Sequence, residues 1–403
     1  MSFDGLWSDL RDLGRDRRTG GYRRFAWTDV DLELREWFVS AARQRGLDVT
    51  VDRNGNQWAW WGDPDLSPGV VTGSHLDSVP DGGAYDGPLG VVSAFAALDV
   101  IRANGFAPAR PLGIVNFCDE EGARFGVACA GSRLLTGALA PERALGLVDA
   151  DGVTLVQAMT RAGHPTTLGR DAITLGRDED ALRRVSTFVE LHVEQGRGLV
   201  DLDRSVAVAK AIWPHGRYRA ELMGEANHAG TTRLQDRRDP TLAYARLVLA
   251  AREAASRNAG VATCGKVRFE PNGVNAIASL VTAWIDARAP LESSVRAVVG
   301  ELADLVSAEA GILVEESWTD EIEFDLDLRE RLAVAVGDPP ALATGAGHDA
   351  GVLAAAGVPT GMIFVRNPTG VSHSPAEFAE RDDCLAGVAA LAAALADLLG
   401  DAA

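Results

Sequence analysis

VVTGSHLDSVPDGGAYDGPLGVVSAFAALDVIRANG, residues 70–105, passes from an apolar run through a loop of glycines, prolines and aspartates into a second apolar segment. Its first four residues read as a strand. The segment from Pro88 to Gly105 reads as a helix that opens on proline and stops at glycine. Strand followed by helix is the repeating unit of an α/β sheet. The loop between them carries His75, Asp77 and Asp86. It is either a solvated turn or a place where an imidazole and carboxylates meet a positive charge.

The pattern recurs along the chain. LGIVNFC (112–118) runs into Asp119, Glu120 and Glu121. FVELHV (188–193) holds His192 beside Glu194 and Gln195, and GMIFV (361–365) precedes a loop with His373. Residues 5–50 and 383–399 read as helical. This alternation predicts an α/β fold with a mixed, largely parallel sheet, in which ligands bind beyond the carboxyl ends of the strands. All four polar clusters follow the apolar runs or sit near their ends, which places them on one rim.

From about Ala211 to Thr319 the rhythm changes. GRYRAELMG (216–224), CGKVRFE (264–270), IASLVTAWIDAR (277–288) and ILVEESW (312–318) read as strands, with helices at 239–260 and 291–311. That β-α-β-β-α-β order is the split βαβ, ferredoxin-like pattern. The expected organisation is a catalytic domain of residues 1–210 and 320–403 with an inserted domain of residues 211–319.

With 403 residues the chain exceeds what one hydrophobic core usually spans. Its 39 Lys and Arg against 57 Asp and Glu give a formal charge of -18. Such a surface repels phosphate backbones and anionic lipid, so neither nucleic acid nor a membrane is an expected partner. The first residues lack the apolar core of a secretory signal, and no apolar run approaches a membrane span. Cys118, Cys129, Cys264 and Cys384 form no C-x-x-C pair and suit a reducing compartment, so the cytoplasm is expected.

Three of the seven histidines, His75, His192 and His373, lie in the rim clusters. Two divalent ions a few Å apart need several ligands each and a shared carboxylate. Asp86 suits the bridge, and Asp77 suits fixing the tautomer of His75. Glu120 and Glu121 are adjacent at a strand end and point opposite ways, so one can ligate while the other takes a proton from water. The plainer alternative is that acidic pairs are common in so acidic a chain and that each cluster is a solvated strand end. Convergence of four clusters on one rim favours metal. His164 and His215 stand apart and read as structural; Trp58, Trp60 and Trp61 read as packing.

GSHLDSVPDGGAYDGPLG, DEEGARFG, ELHVEQG, GEANHAGTT, the Asp286–Arg288 pair, GAGHDA and GVSHSPAEF occur in the order seen in two-metal amidohydrolases. The chain resembles the N-carbamoyl-L-amino-acid hydrolase and allantoate amidohydrolase branch of the aminoacylase/carboxypeptidase superfamily over roughly residues 20–385. The resemblance implies two divalent ions, zinc or manganese, with His75 and His192 on one, Glu121 and His373 on the other, and Asp86 between them. It implies Glu120 as general base and Asp77 as partner of His75. The inserted domain becomes a lid and dimerisation module of a homodimer, whose His228 holds the oxyanion in the partner's site. Gln195, Asn275, Arg288 and His348 would contact a small substrate bearing a carboxylate. Taken singly, His228 also fits a turn bonded to its own backbone, Arg288 a surface ion pair, and His348 a helix cap.

The chain departs from the branch at Arg233, where proline often follows the NHAGTT motif, in NGVNAIAS, which lacks an expected proline, and at Ala289, where a histidine often follows the arginine. Arg366 precedes the His373 loop where relatives are apolar or small. Arg233 and Arg366 therefore point to a dianionic substrate or to solvated charges. The implied reaction is hydrolysis of a non-peptide C–N bond in a ureido or N-carbamoyl group with release of ammonia. Allantoate is the first substrate, with N-carbamoyl-L-amino acids and N-formyl or N-formimino amino acids as alternatives. A dipeptidase is an enzymatic rival, and a non-catalytic small-molecule-binding protein belongs to another class.

Overall fold

The computed structural model describes residues 2–164, 168–169, 172–173 and 175–400. Two compact units emerge. One comprises Met1–Lys210, Glu323–Leu342 and Gly347–Ala403; the other comprises Ala211–Ile322 and Ala343–Ala346. The short piece Ala343–Ala346 groups with the second because the Trp213 N–H donates to the Thr344 carbonyl at 2.8 Å.

The first unit is built on a nine-stranded mixed sheet. Its centre is four neighbouring strands, Leu112–Phe117, Gly69–His75, Val185–Val193 and Thr360–Val365, each parallel to the next. Nearly every residue in them is buried, as a parallel sheet covered on both faces requires. Antiparallel strands Gln57–Trp61 and Val206–Ile212 flank this centre. Pro88–Ala103 follows its strand as predicted and packs against the helix Arg381–Leu399, filling one core with Leu89, Phe95, Leu98, Leu391 and Leu395. Trp58 and Trp60 are buried and stacked, as packing residues.

The continuous helical reading of residues 5–50 is corrected. Helices Phe3–Leu10 and Asp29–Gln44 are separated by turns, and Asp48–Val51 is a strand. The cause is Arg24, whose buried guanidinium donates to the carbonyls of Leu10 and Leu13 and so takes over the end of the first helix. The backbone around Arg24 also straps the loop after His75. The Ser78 N–H donates to the Arg24 carbonyl, and the amides and carbonyls of Tyr22 and Gly82 exchange hydrogen bonds.

In the second unit the strands His215–Met223, Val261–Glu270, Leu280–Arg288 and Ile312–Thr319 form an antiparallel sheet with the helices Pro240–Arg257 and Glu292–Ala308 packed on it. Leu280–Arg288 lies between His215–Met223 and Val261–Glu270, which run the same way as each other, the split βαβ arrangement. The predicted strand 277–288 breaks at Ala278–Ser279, because the Ser279 amide and hydroxyl both turn to the Glu270 carbonyl. The preceding pair, Ala276–Ile277, instead joins Asn227–His228.

Arg24→Met keeps the volume at this position but leaves the Leu10 and Leu13 carbonyls without their donor. It should lower stability by about 3 kcal/mol, read from denaturant unfolding. Wild-type stability in that variant would remove Arg24 from this role.

Candidate metal centre

His75, Glu120, Glu121, His192 and the loop of His373 all lie at or just beyond the carboxyl ends of the four parallel strands. The fold therefore brings the four clusters to one rim. His75 ends its strand, and the loop that follows returns to place Asp86 opposite it, with Nε2 and Oδ1 3.7 Å apart. Gly87 permits that return: its φ is 87°, and a Cβ there would lie 2.4 Å from the imidazole of His75. Asp86 Oδ1 lies 3.1 Å from His192 Nε2, while Oδ2 lies 3.3 Å from His373 Nε2. Glu121 approaches the same His373 nitrogen at 3.5 Å.

Two ligand sets result, His75–Asp86–His192 and Asp86–Glu121–His373, each with its donor atoms within 4.8 Å of one another. They share Asp86. A third group, Glu190–His192–His348, is also compact, but both Glu190 oxygens already accept hydrogen bonds, from the Ser74 hydroxyl and the Ala350 amide.

The electrostatics call for a cation. Burial works against ionisation of Asp86, yet the imidazoles of His192, His373 and His75 outweigh it and hold the carboxyl well below its ordinary range. Burial pushes Glu120 well up despite His75, and pushes Glu121 to about 7, with Asp86 adding to the rise. The hydrogen bond that His373 donates to Asp86 raises the imidazole to about 9. Among the described residues, Glu121 Oε1 is buried without a hydrogen-bond partner, and His192 Nε2 has the Asp86 carboxylate at 3.1 Å. Crowded carboxylates, two of them pushed toward their protonated forms by burial, with an orphaned carboxylate oxygen among them, fit divalent ions. The mixed imidazole and carboxylate set suits zinc or manganese.

Asp77 does more than face His75. Its carboxylate accepts from the backbone N–H of both Glu120 (3.1 Å) and Glu121 (3.0 Å), which fixes the two glutamates relative to the His75 loop. His75 Nδ1 lies 3.2 Å from the Asp77 carbonyl and 3.5 Å from its carboxylate. Glu120 faces His75 Nε2 at 3.7 Å, and its other oxygen accepts from the buried Cys129 thiol at 3.3 Å. Gln195 donates to Asp86 Oδ2 (2.8 Å) and to the Ser372 hydroxyl (3.0 Å).

His348 precedes the helix Asp349–Ala355 but forms no side-chain cap; its ring stands edge-on to His192, with centroids 4.4 Å apart. His228, Asn275 and Arg288 belong to the second unit. His228 is exposed, and its Nδ1 accepts from the Gly230 N–H at 3.0 Å. The Asn275 carbonyl accepts from the Ala229 N–H beside it. Arg288 engages both oxygens of Asp286 and the Gly345 carbonyl. Arg366 is not a free cation, since its guanidinium grips Asp383 with two hydrogen bonds and Asp203 with a third. Arg233 pairs with Asp236 on the surface. The sequence reading takes only His373 from GVSHSPAEF. Ser372 and Glu377 of the same motif also reach the centre, and Glu190 could have been found two residues before His192, on the same strand face.

A family model described as peptidase family M20/M25/M40 matches residues 71–397. An N-carbamoyl-L-amino acid amidohydrolase from Geobacillus stearothermophilus is 35% identical, covering 96% of each chain. An allantoate amidohydrolase from Escherichia coli is 34% identical, covering 96% of this chain and 95% of that one. The crystal structure of a hydantoinase/carbamoylase-family amidase from Burkholderia vietnamiensis superposes with a TM-score of 0.89 at 29% identity, over 99% of this chain and 98% of the other. The chain belongs to peptidase family M20/M25/M40, as one of its metal-dependent amidohydrolases.

Proposed function

We propose that this enzyme hydrolyses a C–N bond in the ureido or N-carbamoyl group of a small carboxylate, with two divalent ions held by His75, Asp86 and His192 and by Asp86, Glu121 and His373. The observation that carries this reading is the pair of ligand sets sharing one carboxylate. Allantoate is the first substrate and an N-carbamoyl-L-amino acid the second, each supported by a relative of that name covering nearly the whole chain.

When bound, zinc or manganese supplies the positive charge that polarises a carbonyl and lowers the pKa of water. Glu120 accepts the proton of the attacking water and returns it to the leaving nitrogen. Its raised pKa, from burial first, suits a group that must both take and give a proton. Asp77 holds Glu120 and Glu121 in place through their amides. For a ureido group, the carbamate released breaks down to ammonia and carbon dioxide.

Gln195, Asn275, Arg288 and His348 orient the substrate in this reading, with Arg288 on its carboxylate. Asp286 now occupies that fork and would have to yield it. The second unit is a lid and dimerisation module, and His228 serves the site of a second copy. Because the Gly230 amide donates to Nδ1, a neutral His228 carries its proton on Nε2, as a donor for the oxyanion. A homodimer is supported by Leu242 and Leu249, exposed on the helix Pro240–Arg257, beside the open edge of Val261–Glu270 with exposed Val261 and Val267. Among the described residues no helix is long and apolar enough to cross a membrane. Four free cysteines support a reducing compartment, which we take to be the cytoplasm.

Three experiments test this. Dialysis against chelator should abolish ammonia release from the preferred ureido substrate, and zinc or manganese should restore it; release indifferent to chelation rejects the metal reading. Glu120→Gln should keep its metal content while kcat falls by about 10²–10⁴-fold; an active variant removes Glu120 as base. Mixing the inactive His228→Ala and Glu120→Gln variants under subunit exchange should recover up to about a quarter of wild-type activity, since half the dimers are hybrid and each carries one intact site. No recovery in demonstrated hybrids rejects the exchange of His228 between subunits.

A further inference from the structure

Glu377 lies in the chain almost three hundred residues from Asp86, yet it is buried against the loop that carries that carboxylate. Its Oε1 accepts from two successive backbone amides, Tyr85 N–H at 2.9 Å and Asp86 N–H at 3.0 Å. The loop is shaped around this oxygen. A Cβ on Gly83 would fall 2.3 Å from it, so only glycine lets the backbone approach. The other oxygen, Oε2, accepts from the Ser372 hydroxyl at 2.9 Å, and Ser372 immediately precedes His373. The Ser372 oxygen also accepts from Gln195, which donates to Asp86 as well, and lies 3.4 Å from Asp86 Oδ2.

One buried carboxylate thus ties the loop of the shared ligand Asp86 to the loop of the distal ligand His373. These loops lie far apart in the chain, and each extends beyond the end of its strand. His373 itself is held in left-handed backbone, with φ 55°, and is half exposed, so the loop needs an external tether.

We infer that Glu377 is a positioning residue that sets the separation between Asp86 and His373, and hence the affinity of the Asp86–Glu121–His373 set for its ion. This rests on the two-ion reading. Neither oxygen of Glu377 is directed at substrate; it acts through the backbone of one ligand and the neighbour of another.

The test is direct titration of chelator-stripped protein with Zn²⁺ and with Mn²⁺ by calorimetry, together with metal content after gel filtration and thermal unfolding of the stripped protein. Wild type should take up two ions per chain; if it takes up none, the two-ion reading fails and this inference falls with it, whereas two ions held equally well by wild type and Glu377→Ala overturn this inference alone. Glu377→Ala should weaken uptake of one of the two ions by about 10–100-fold, as removal of a ligand's supporting partner does. Glu377→Gln keeps an oxygen for the two amides and should recover most of that loss. Gly83→Ala pushes on the carboxylate and should resemble Glu377→Ala in the wild-type background. If Glu377→Ala binds both ions with wild-type affinity, or if the Gln variant is as impaired as the Ala variant, the inference is overturned. Should Glu377→Ala fail to fold, Ser372→Ala decides: it removes the bond between Glu377 and the His373 loop while leaving the Tyr85 and Asp86 amides on Glu377, and unchanged affinity there rejects the role.

Discussion

Everything at the rim depends on one carboxylate placed where three imidazoles converge. Asp86 is buried, faces His75 and His192 with one oxygen and His373 with the other, and stays ionised because those rings outweigh the cost of desolvation. Such an arrangement is stable only if positive charge is present, whether protons on the rings or cations between them. The surrounding acids point the same way, since Glu120 and Glu121 are held toward their protonated forms by burial. The centre is therefore charged for a ligand before substrate is considered.

The sheet supplies the rigidity that this charge distribution requires. Four parallel strands, buried on both faces, end side by side, and hydrogen-bonded register fixes His75 and His192 to within the tolerance of a ligand set. The glutamates that follow Leu112–Phe117 are secured differently, through their own amides on Asp77. His373 lies furthest from its strand and relies on the longest chain of contacts, through Ser372 to Glu377. Precision thus falls from the strands outward, and side-chain tethers replace sheet register where register ends.

Substrate choice rests on groups of another kind. Arg366, striking as an extra cation in the sequence, is bound to Asp383 and Asp203 and helps hold the start of the His373 loop. Arg288 is likewise paired, with Asp286. A sequence shows that an arginine is present; whether its charge is free for a substrate depends on which acid folds beside it.

The sequence by itself determined the alternation of strand and helix, the rim of acids and histidines, and the ferredoxin-like order of 211–319. Apolar periodicity, turn residues and the position of polar residues after apolar runs are local properties. It also carried the imidazoles and carboxylates of the candidate metal centre, because GSHLDSVPDGGAYDG, DEEGARFG, ELHVEQG and GVSHSPAEF are contiguous. The tertiary structure decided what depends on partners distant in the chain. Arg24 ends a helix that periodicity would continue, Ser279 breaks a strand by turning to Glu270, Asp77 clamps two amides more than forty residues away, and Glu377 grips a loop near the other end of the chain. Each is a buried or half-buried polar group satisfied by a partner that no local pattern names, and the need to satisfy such groups is met only when the whole chain is folded.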